Sequence, residues 1–500
     1  MRLIITIFVM VVALNVKGQK IFTANNSNFE PNLPDPVMLL KQYVSIPSES
    51  GKERQAGVFL KEKCIQFGLY VEEFRSEGNG MNFAASLYPL DQQKPNIVFL
   101  NHIDVVPAGD TAYWDSDPYK AVLKKGKIYG RGAIDNKSLG IIHLIAVSYY
   151  VLEAKSRNLP FNVTLLSVSG EETGGIKGSK IVADEFYELL NPTIVIGEGG
   201  TGLESVKIID YDKPVFGITV AEKSILWLKL EVNSATNGHA SLNVGEYANK
   251  VLVSGLDNLL HMRAEIQFNP ASKMMFREIG ELAGGFKGFV FKHFNWRIFR
   301  PLIKSQLKKE IELASLITNS ITLSSFQNSD GFVNQNAQRS VAFLDCRLLP
   351  GNSTQEMIKR IKKALKDTTI RIQVIHEGPY SSITYPETFF DLMSESIKTI
   401  YPTASVVPML FPASSDNNYF REKGCPVYGI NPHLLHPEQI KSIHNANENI
   451  DARELKLGIE VFKVFIAKVL AEKLSPAESQ EFLSRHSVVS KVDDFILTTE

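Results

Sequence analysis

Apolar runs and amphipathic stretches follow one another along the chain from about residue 37 to 215. The runs have the length of buried strands, and the stretches between them repeat their apolar positions at helical spacing. The predicted strands are Asn96–Leu100, Phe161–Val168 and Thr193–Ile196, and the predicted helices are Arg54–Gln66 and Leu139–Ala154. This alternation predicts an α/β fold with a mostly parallel central sheet.

After about residue 215 the pattern changes, and predicted strands such as Ser224–Val232 alternate apolar and polar residues. Further strands are predicted at Arg339–Arg347 and Ile370–Ile375, and helices at Glu246–Leu260 and Gln355–Leu365. Such strands have one buried face, as in a small α+β unit. After about residue 380 the α/β pattern returns, with predicted elements at Glu387–Ile400, Pro426–Ile430 and Ala452–Glu472.

We therefore predict one α/β domain interrupted by a second, α+β domain. The predicted bounds are 37–217 and 378–472 for the first domain, 218–377 for the inserted domain, and 473–500 for a polar, weakly ordered tail. Within the inserted domain, residues 265–335 form a long insertion. The part 284–303 is rich in Phe with interleaved Lys and Arg, which predicts either a lid helix that packs its aromatic face or a contact with an acyl chain or membrane surface.

The N-terminus has the pattern of a secretory signal at residues 1–18. A basic start precedes an apolar run from Leu3 to Leu14, which is short for a membrane span and ends near small residues. We expect an exported protein, periplasmic or secreted, with no stable membrane insertion after cleavage. An uncleaved anchor is the alternative.

The overall charge excludes one class of partner. Lys plus Arg number 54 and Asp plus Glu also 54, so the formal net charge is zero and no nucleic-acid partner is expected. The three cysteines lie far apart, at Cys64, Cys346 and Cys425. They form neither a disulfide framework nor a paired-cysteine zinc motif, so histidines and carboxylates would have to hold any metal.

Histidines and carboxylates follow three predicted strands at the point where each strand ends. His102 and Asp104 follow the first, Glu171 and Glu172 the second, and Glu198 the third. The carboxyl ends of strands are where open α/β sheets bind their ligands. Asp135, on a glycine-rich loop before a helix, and His444, before the last helix, complete a set of imidazole and carboxylate ligands for two divalent ions. Asp104 is predicted to orient the imidazole of His102, and Glu171 to be the general base.

The motifs in their chain order make the resemblance specific. The sequence reads HIDVVP at 102–107, GRGAIDNK at 130–137, SGEETGG at 169–175, GEGG at 197–200 and HNANE at 444–448. Together they resemble the di-zinc exopeptidases and amidohydrolases of the aminoacylase-1, carboxypeptidase G and succinyl-diaminopimelate desuccinylase family. The long insertion and the secretory start look most like the carboxypeptidase S branch, which includes a secreted N-fatty-acyl amino acid hydrolase/synthase.

The resemblance implies that 37–217 with 378–472 is the catalytic domain and that 218–377 is a lid or dimerisation domain. It also implies a role for each motif residue. His102, Asp135 and Glu198 would hold one zinc, and Asp135, Glu172 and His444 the other, with cobalt or manganese as alternative metals. His239 would stabilise the oxyanion in the partner subunit of a homodimer. Arg347 would clamp a substrate carboxylate, and Asn336 would contact substrate.

The implied activity is cleavage of an amide bond in a small peptide or an N-acyl amino acid, as in a carboxypeptidase or aminoacylase. Two alternatives stay open. The first is N-acyl amino acid synthesis or deacetylation on the same metal centre. The second is a non-catalytic binding protein on the same fold, which an intact Glu171 disfavours.

Overall fold

The structure is a computed structural model that describes residues 33–234, 240, 245–299, 311–328 and 334–486. The predicted signal segment 1–18 and the candidate residue His239 lie outside the described residues. The strands are β1 Tyr70–Phe74, β2 Asn82–Ser86, β3 Asn96–His102, β4 Val122–Lys124, β5 Lys127–Tyr129, β6 Asn162–Val168, β7 Pro192–Leu203, β8 Val215–Glu222, β9 Ser224–Asn233, β10 Ser320–Asn328, β11 Arg339–Leu348, β12 Arg371–Glu377, β13 Ser405–Phe411, β14 Val427–Leu435 and β15 Asn449–Asp451.

The α-helices of the described residues begin with a short N-terminal helix and end beyond the predicted catalytic domain. They are α1 Pro36–Val44, α2 Arg54–Gln66, α3 Lys137–Ser148, α4 Val151–Ser156, α5 Ser179–Glu185, α6 Tyr187–Leu190, α7 Ala248–Leu260, α8 Pro270–Ala283, α9 Gly285–Lys292, α10 Ile311–Ser315, α11 Thr354–Leu365, α12 Thr388–Ile400, α13 Asn417–Glu422, α14 Pro437–Ser442, α15 Ala452–Ala471 and α16 Pro476–Arg485.

A large sheet forms the centre of the molecule, with strand order β1-β2-β6-β3-β7-β14-β8-β13. The inner strands β6, β3, β7 and β14 run parallel to one another, whereas β1 and β2 add antiparallel pairs at one edge. The predicted α/β fold with a mostly parallel sheet is therefore confirmed.

The strand β3 shows why its sequence is a continuous apolar run. Ile97 and Phe99 face the core formed with α3 and α15, while Val98 and Leu100 face the core formed with α5 and α13. A strand covered on both faces has no solvent side on which polar residues would be stable. The chemistry-bearing residue His102 is the last residue of this buried strand.

A second sheet, of order β10-β11-β9-β12, is antiparallel throughout. Helices α7 and α11 cover one of its faces. The chain passes from the large sheet to this one at Lys223, between β8 and β9, and leaves it after Glu377. The sequence placed this passage at 217/218, which falls inside β8, a strand that is buried along its whole length as part of the large sheet.

The segment that contains α8 and α9 packs away from the second sheet. Helix α8 lies on β13, the edge strand of the large sheet, and Met409 of that strand contacts the apolar cluster of the segment. The sequence assigned this segment to an insertion in the second domain. Its apolar residues are buried instead against the first one.

The expectation of a weakly ordered tail at 473–500 is wrong for residues 476–485, which form α16. Ser475 and Glu478 form a capping box at the start of this helix. Phe482 is buried and its ring packs near those of Tyr150 and His486. One buried aromatic residue and one cap therefore order a segment that is otherwise polar.

The stretch Lys137–Ser156 is long and apolar enough to pass as a membrane span by composition, but 89% of it is buried inside the fold. It includes α3 and α4, which pack against the large sheet and α15. Its apolar character is thus that of a core helix.

We expect the substitution Phe482→Ala to lower the free energy of unfolding by about 3 kcal/mol, because it leaves a cavity between α16 and the core. The matched control is Leu483→Ala, at a neighbouring position that is 36% exposed, which should change stability by less than about 0.5 kcal/mol. Urea denaturation of the two variants measures this difference. Equal stabilities would show that α16 is not docked.

Candidate metal centre

The candidate ligands meet in one cleft at the carboxyl edge of the large sheet. His102 ends β3, Asp135 lies on the loop before α3, and Glu172 lies in the short turn Glu171–Thr173 after β6. His444 follows α14. Glu198 differs from the expectation that it follows a strand, because β7 continues through it to Leu203.

Two groups of ligand atoms share Asp135. His102 Nε2 lies 3.1 Å from Asp135 Oδ1 and 3.4 Å from Glu198 Oε2. On the other side, His444 Nε2 lies 3.1 Å from Asp135 Oδ2 and 3.3 Å from Glu172 Oε1. Each oxygen of one carboxylate therefore faces a different imidazole, and the structure brings all five predicted ligands together.

This arrangement fits divalent metal ions by the chemistry of its donors. In each group, one imidazole nitrogen and carboxylate oxygens lie within 4.8 Å of one another, and these are donors that zinc and similar ions take. Glu172 Oε1 is buried from solvent and faces the imidazole nitrogen Nε2 of His444 at 3.3 Å. A buried oxygen of this kind is stable when it binds a cation.

The pKa values of Glu171, Glu172 and His444 are raised because charged side chains lie close together in a partly buried cleft. Burial, and next the charge of Glu198, raise the pKa of Glu171 well above its usual range. Burial, and next the charge of Asp135, raise the pKa of Glu172 to about 7. Hydrogen bonds to Asp135 and Glu172 raise the pKa of His444 to about 10. The metal-free cleft thus retains protons that a bound cation would displace.

Asp104 lies beside the imidazole that it is predicted to orient, but its main-chain oxygen is nearer to that imidazole than its carboxylate is. The Nδ1 atom of His102 lies 2.9 Å from the main-chain oxygen of Asp104, and 3.6 Å from its carboxylate. The carboxylate instead accepts hydrogen bonds from the main-chain N–H groups of Glu171 and Glu172 and from the Ser50 hydroxyl. Asp104 therefore fixes both the imidazole and the turn that carries the candidate base.

The second sheet supplies one wall of the cleft. Arg347 and Trp227 line it together with the metal ligands, in a cavity of about 290 Å³. Asp345 accepts two hydrogen bonds from the Arg347 guanidinium, at 2.8 and 2.9 Å, and so holds it in place. Asn336 precedes the opposite end of β11, roughly 30 Å away along an extended strand, so the chain does not bring it to Arg347.

Comparison with known proteins decides the family. The model of peptidase family M20/M25/M40 matches residues 98–468, which is most of the chain. This chain belongs to peptidase family M20/M25/M40.

Two curated relatives extend the match. The Bos taurus N-fatty-acyl-amino acid synthase/hydrolase PM20D1 is 28% identical over 90% of this chain and 93% of its own length. The probable carboxypeptidase S-like 2 of Dictyostelium discoideum is 24% identical over 75% of this chain and 71% of its own length. The predicted family resemblance is confirmed, and the M20 chain is a hydrolase that acts on amide bonds.

A solved structure shares the fold. The M20 family metallo-carboxypeptidase Sso-CP2 from Sulfolobus solfataricus superposes with a TM-score of 0.67 at 21% identity, over 87% of this chain and 99% of that chain. The fold match therefore includes both sheets of this M20 chain.

Glu448 is a residue that sequence reasoning missed, although it lies in the HNANE motif. It is fully buried and accepts hydrogen bonds from Arg131 and from the main-chain N–H groups of Gly132, Ile134 and Asp135. It thereby fixes the loop that presents Asp135. Its position four residues after His444 was the available signal, but no sequence pattern relates it to a loop more than 300 residues away.

Asp416 is a second residue without a sequence signal. It is buried at the start of α13, against Gly175, and lines a small cavity together with Glu171. Burial raises its pKa well above the usual range. The raised pKa favours the protonated form, so Asp416 faces the candidate base as a neutral carboxyl group near pH 7.

We expect metal affinity to rise with pH. At neutral pH an ion held by Asp135, Glu172 and His444 must displace the proton of His444, and below about pH 7 also that of Glu172. An ion in the other group must displace the proton of His102, whose pKa is also raised. The apparent affinity should therefore rise about tenfold per pH unit above pH 7, and more steeply below it. Titration of the metal-free protein with Zn²⁺ at several pH values measures this slope. An affinity that does not change with pH would contradict the assignment of these ligands.

Proposed function

We propose that this M20 chain hydrolyses the amide bond of an N-acyl amino acid or peptide with a free carboxylate, using two zinc ions. One observation carries the proposal. The cleft holds two ligand groups that share Asp135, together with the partly buried carboxylate of Glu171 and the guanidinium of Arg347. These parts match the two ends of such a substrate, the amide to be cleaved and the free carboxylate.

The proposed ligands would bind the two ions in the two groups that the motifs imply. His102, Asp135 and Glu198 would hold one ion, and Asp135, Glu172 and His444 the other. Bound there, the ions would supply Lewis acidity toward the amide carbonyl and lower the pKa of water.

Glu171 has the position of a general base. Its carboxylate lies within 4.8 Å of ligand atoms of His102 and Glu172, and the hydrogen bond from its N–H to Asp104 fixes the turn that carries it. We propose that Glu171 takes a proton from the attacking water and then gives it to the leaving nitrogen. Its raised pKa, caused first by burial, favours a carboxylate that takes up a proton.

Arg347 would bind the substrate carboxylate. A planar guanidinium forms paired hydrogen bonds with carboxylates, and Asp345 keeps this one oriented into the cleft wall. The distance between Arg347 and the proposed metal ligands would then determine which spacing between amide and carboxylate a substrate can have.

The rest of the cleft lining favours an apolar group on the other side of the amide. Besides Trp227, the lining includes Phe411, Leu435, Ile440 and Ile443. Apolar walls stabilise an acyl chain or an apolar side chain better than a polar one. We therefore favour an N-acyl amino acid over a polar dipeptide, in line with the substrate named for the PM20D1 relative.

The remaining parts of the proposal concern assembly and location. We propose that residues 37–222 with 378–472, which build the large sheet, form the catalytic domain, and that the second sheet with α7 and α11, between Lys223 and Glu377, forms the lid and dimerisation domain. His239 would act in a homodimer, where it reaches the cleft of the partner, and Asn336 would contact substrate. Residues 1–18 would direct export.

Synthesis of N-acyl amino acids stays the alternative, because condensation is the reverse of hydrolysis and uses the same groups. The two directions differ in the concentrations of free amine and acid, not in residues. Zinc is our proposal for the metal, and the same donors accept cobalt or manganese.

We expect Glu171→Gln to lower kcat by about 10²- to 10⁴-fold, since an amide cannot accept the proton of water. Zinc content should stay near that of the wild type, because Glu171 is not among the proposed ligands. The control is Glu438→Gln at an exposed position of α14. Hydrolysis of N-acyl amino acids and metal analysis on the same samples test this. An active Glu171→Gln variant would refute the mechanism, and metal without turnover in the wild type would favour a binding protein.

We expect Arg347→Ala to lower kcat/KM about 100-fold for substrates with a free carboxylate, mainly through KM, because it removes paired charged hydrogen bonds. A substrate whose carboxylate is converted to an amide is the matched control, and the two enzymes should hydrolyse it at similar rates. Equal losses on both substrates would mean that Arg347 supports the fold of the lid rather than the carboxylate.

A further inference from the structure

The segment Gly284–Phe299 divides its large apolar residues between two sides. Phe294 and Phe299 are buried in a small cluster with Phe276, Met275 and Ile317. Val290 and Phe291 pack against this cluster. Four other apolar residues point outward: Phe286 and Ile298 are each 74% exposed, Trp296 46% and Phe289 44%. Single exposed apolar residues are ordinary, but four within thirteen positions form an apolar patch, which is typical of a binding surface.

The inner residues show that this exposure belongs to a packed element. The rings of Phe276 and Phe294 stack with centroids 4.4 Å apart, and α8 beneath them lies on the edge strand β13. The segment is therefore anchored to the large sheet by its own core. Its outer residues are exposed because the inner side is already filled.

The outer residues also contact one another. The rings of Phe289 and His293 lie 4.3 Å apart, and those of His293 and Trp296 lie 4.1 Å apart. Phe and Trp are the side chains that prefer the boundary between lipid headgroups and acyl chains. An aromatic ridge of this kind suits a lipid surface.

The charge of the surrounding sequence has one sign. Between residues 284 and 309 there are seven Lys or Arg residues and no Asp or Glu, in a chain whose net charge is zero. Among the described ones, Lys287 pairs with Asp210 and Lys292 with Glu281, so part of this charge is neutralised locally. Basic residues beside exposed apolar ones complement an anionic bilayer.

We propose that the patch of Phe286, Phe289, Trp296 and Ile298 docks this protein onto the surface of an anionic lipid bilayer. The apolar side chains would enter the headgroup region and the basic residues would attract anionic headgroups. The exposed aliphatic Ile298 favours lipid over nucleic acid, whose bases stack on aromatic rings. This docking does not depend on the proposed amide hydrolysis.

Vesicle flotation of the full chain without residues 1–18 tests the proposal. We expect binding to vesicles of phosphatidylcholine with phosphatidylglycerol, at least tenfold weaker binding to phosphatidylcholine alone, and weaker binding at high salt. The test variant is Phe286→Asp with Ile298→Asp. The control is Val253→Asp with Leu260→Asp on α7, whose side chains are 54% and 52% exposed. The test variant should lose binding at least tenfold, and the control should bind like the wild type.

Tryptophan fluorescence gives a second measurement that needs no charged variant. The chain has three tryptophans, and only the emission of Trp296 should shift to the blue on binding to anionic vesicles. The shift should therefore disappear in Trp296→Phe. No vesicle binding by the wild type, or equal binding by both double variants, would overturn the proposal. So would self-association that the test variant abolishes without any vesicle binding, because the patch would then bind a second copy.

Discussion

The carboxylate of Asp135 is the group on which the geometry of the site depends. One of its oxygens faces His102 and the other faces His444, so the two halves of the centre exist only while this side chain stays between them. Glu172 and Glu198 add negative charge on either side, which repels in a partly buried cleft unless cations offset it. The buried Glu448 holds the Asp135 loop through main-chain N–H groups, and so positions this carboxylate without competing for the ions.

The sheet brings these groups together because its strands pass close to one another where Glu198 lies. A side chain at Gly197 would collide with Asn417, and one at Gly199 would lie 2.6 Å from Thr219. Gly197 therefore makes room for Asn417 of α13, and Gly199 lets β8 and β14 approach β7, so the proposed ligand Glu198 lies inside a strand rather than after its end. This close approach explains the GEGG motif better than a turn does.

The sequence predicted those features that depend on local patterns. The strand ends at His102 and Glu171 followed from buried apolar runs, and most predicted helices and strands agree with the structure within two residues. Contacts between distant segments were not predictable in this way, such as α8 on β13 or Glu448 on the Asp135 loop. The left-handed backbone of His444, with φ of 62°, is another feature that long-range packing imposes and that residue type alone does not indicate.

The two sheets divide the work of the cleft. Every proposed metal ligand belongs to the part of the chain that builds or flanks the large sheet, whereas Arg347 and Trp227 come from the small one. Under the proposed function, changes in the small sheet would alter which carboxylate and which neighbouring group fit, while the proposed base and metal ligands stay in place. This separation gives a physical reason why relatives of this chain carry names as different as N-fatty-acyl-amino acid synthase/hydrolase and probable carboxypeptidase S-like 2. Under the proposed function, the specificity of this chain would depend on how β9 and β11 lie against the proposed ligands, and not on the ligands themselves.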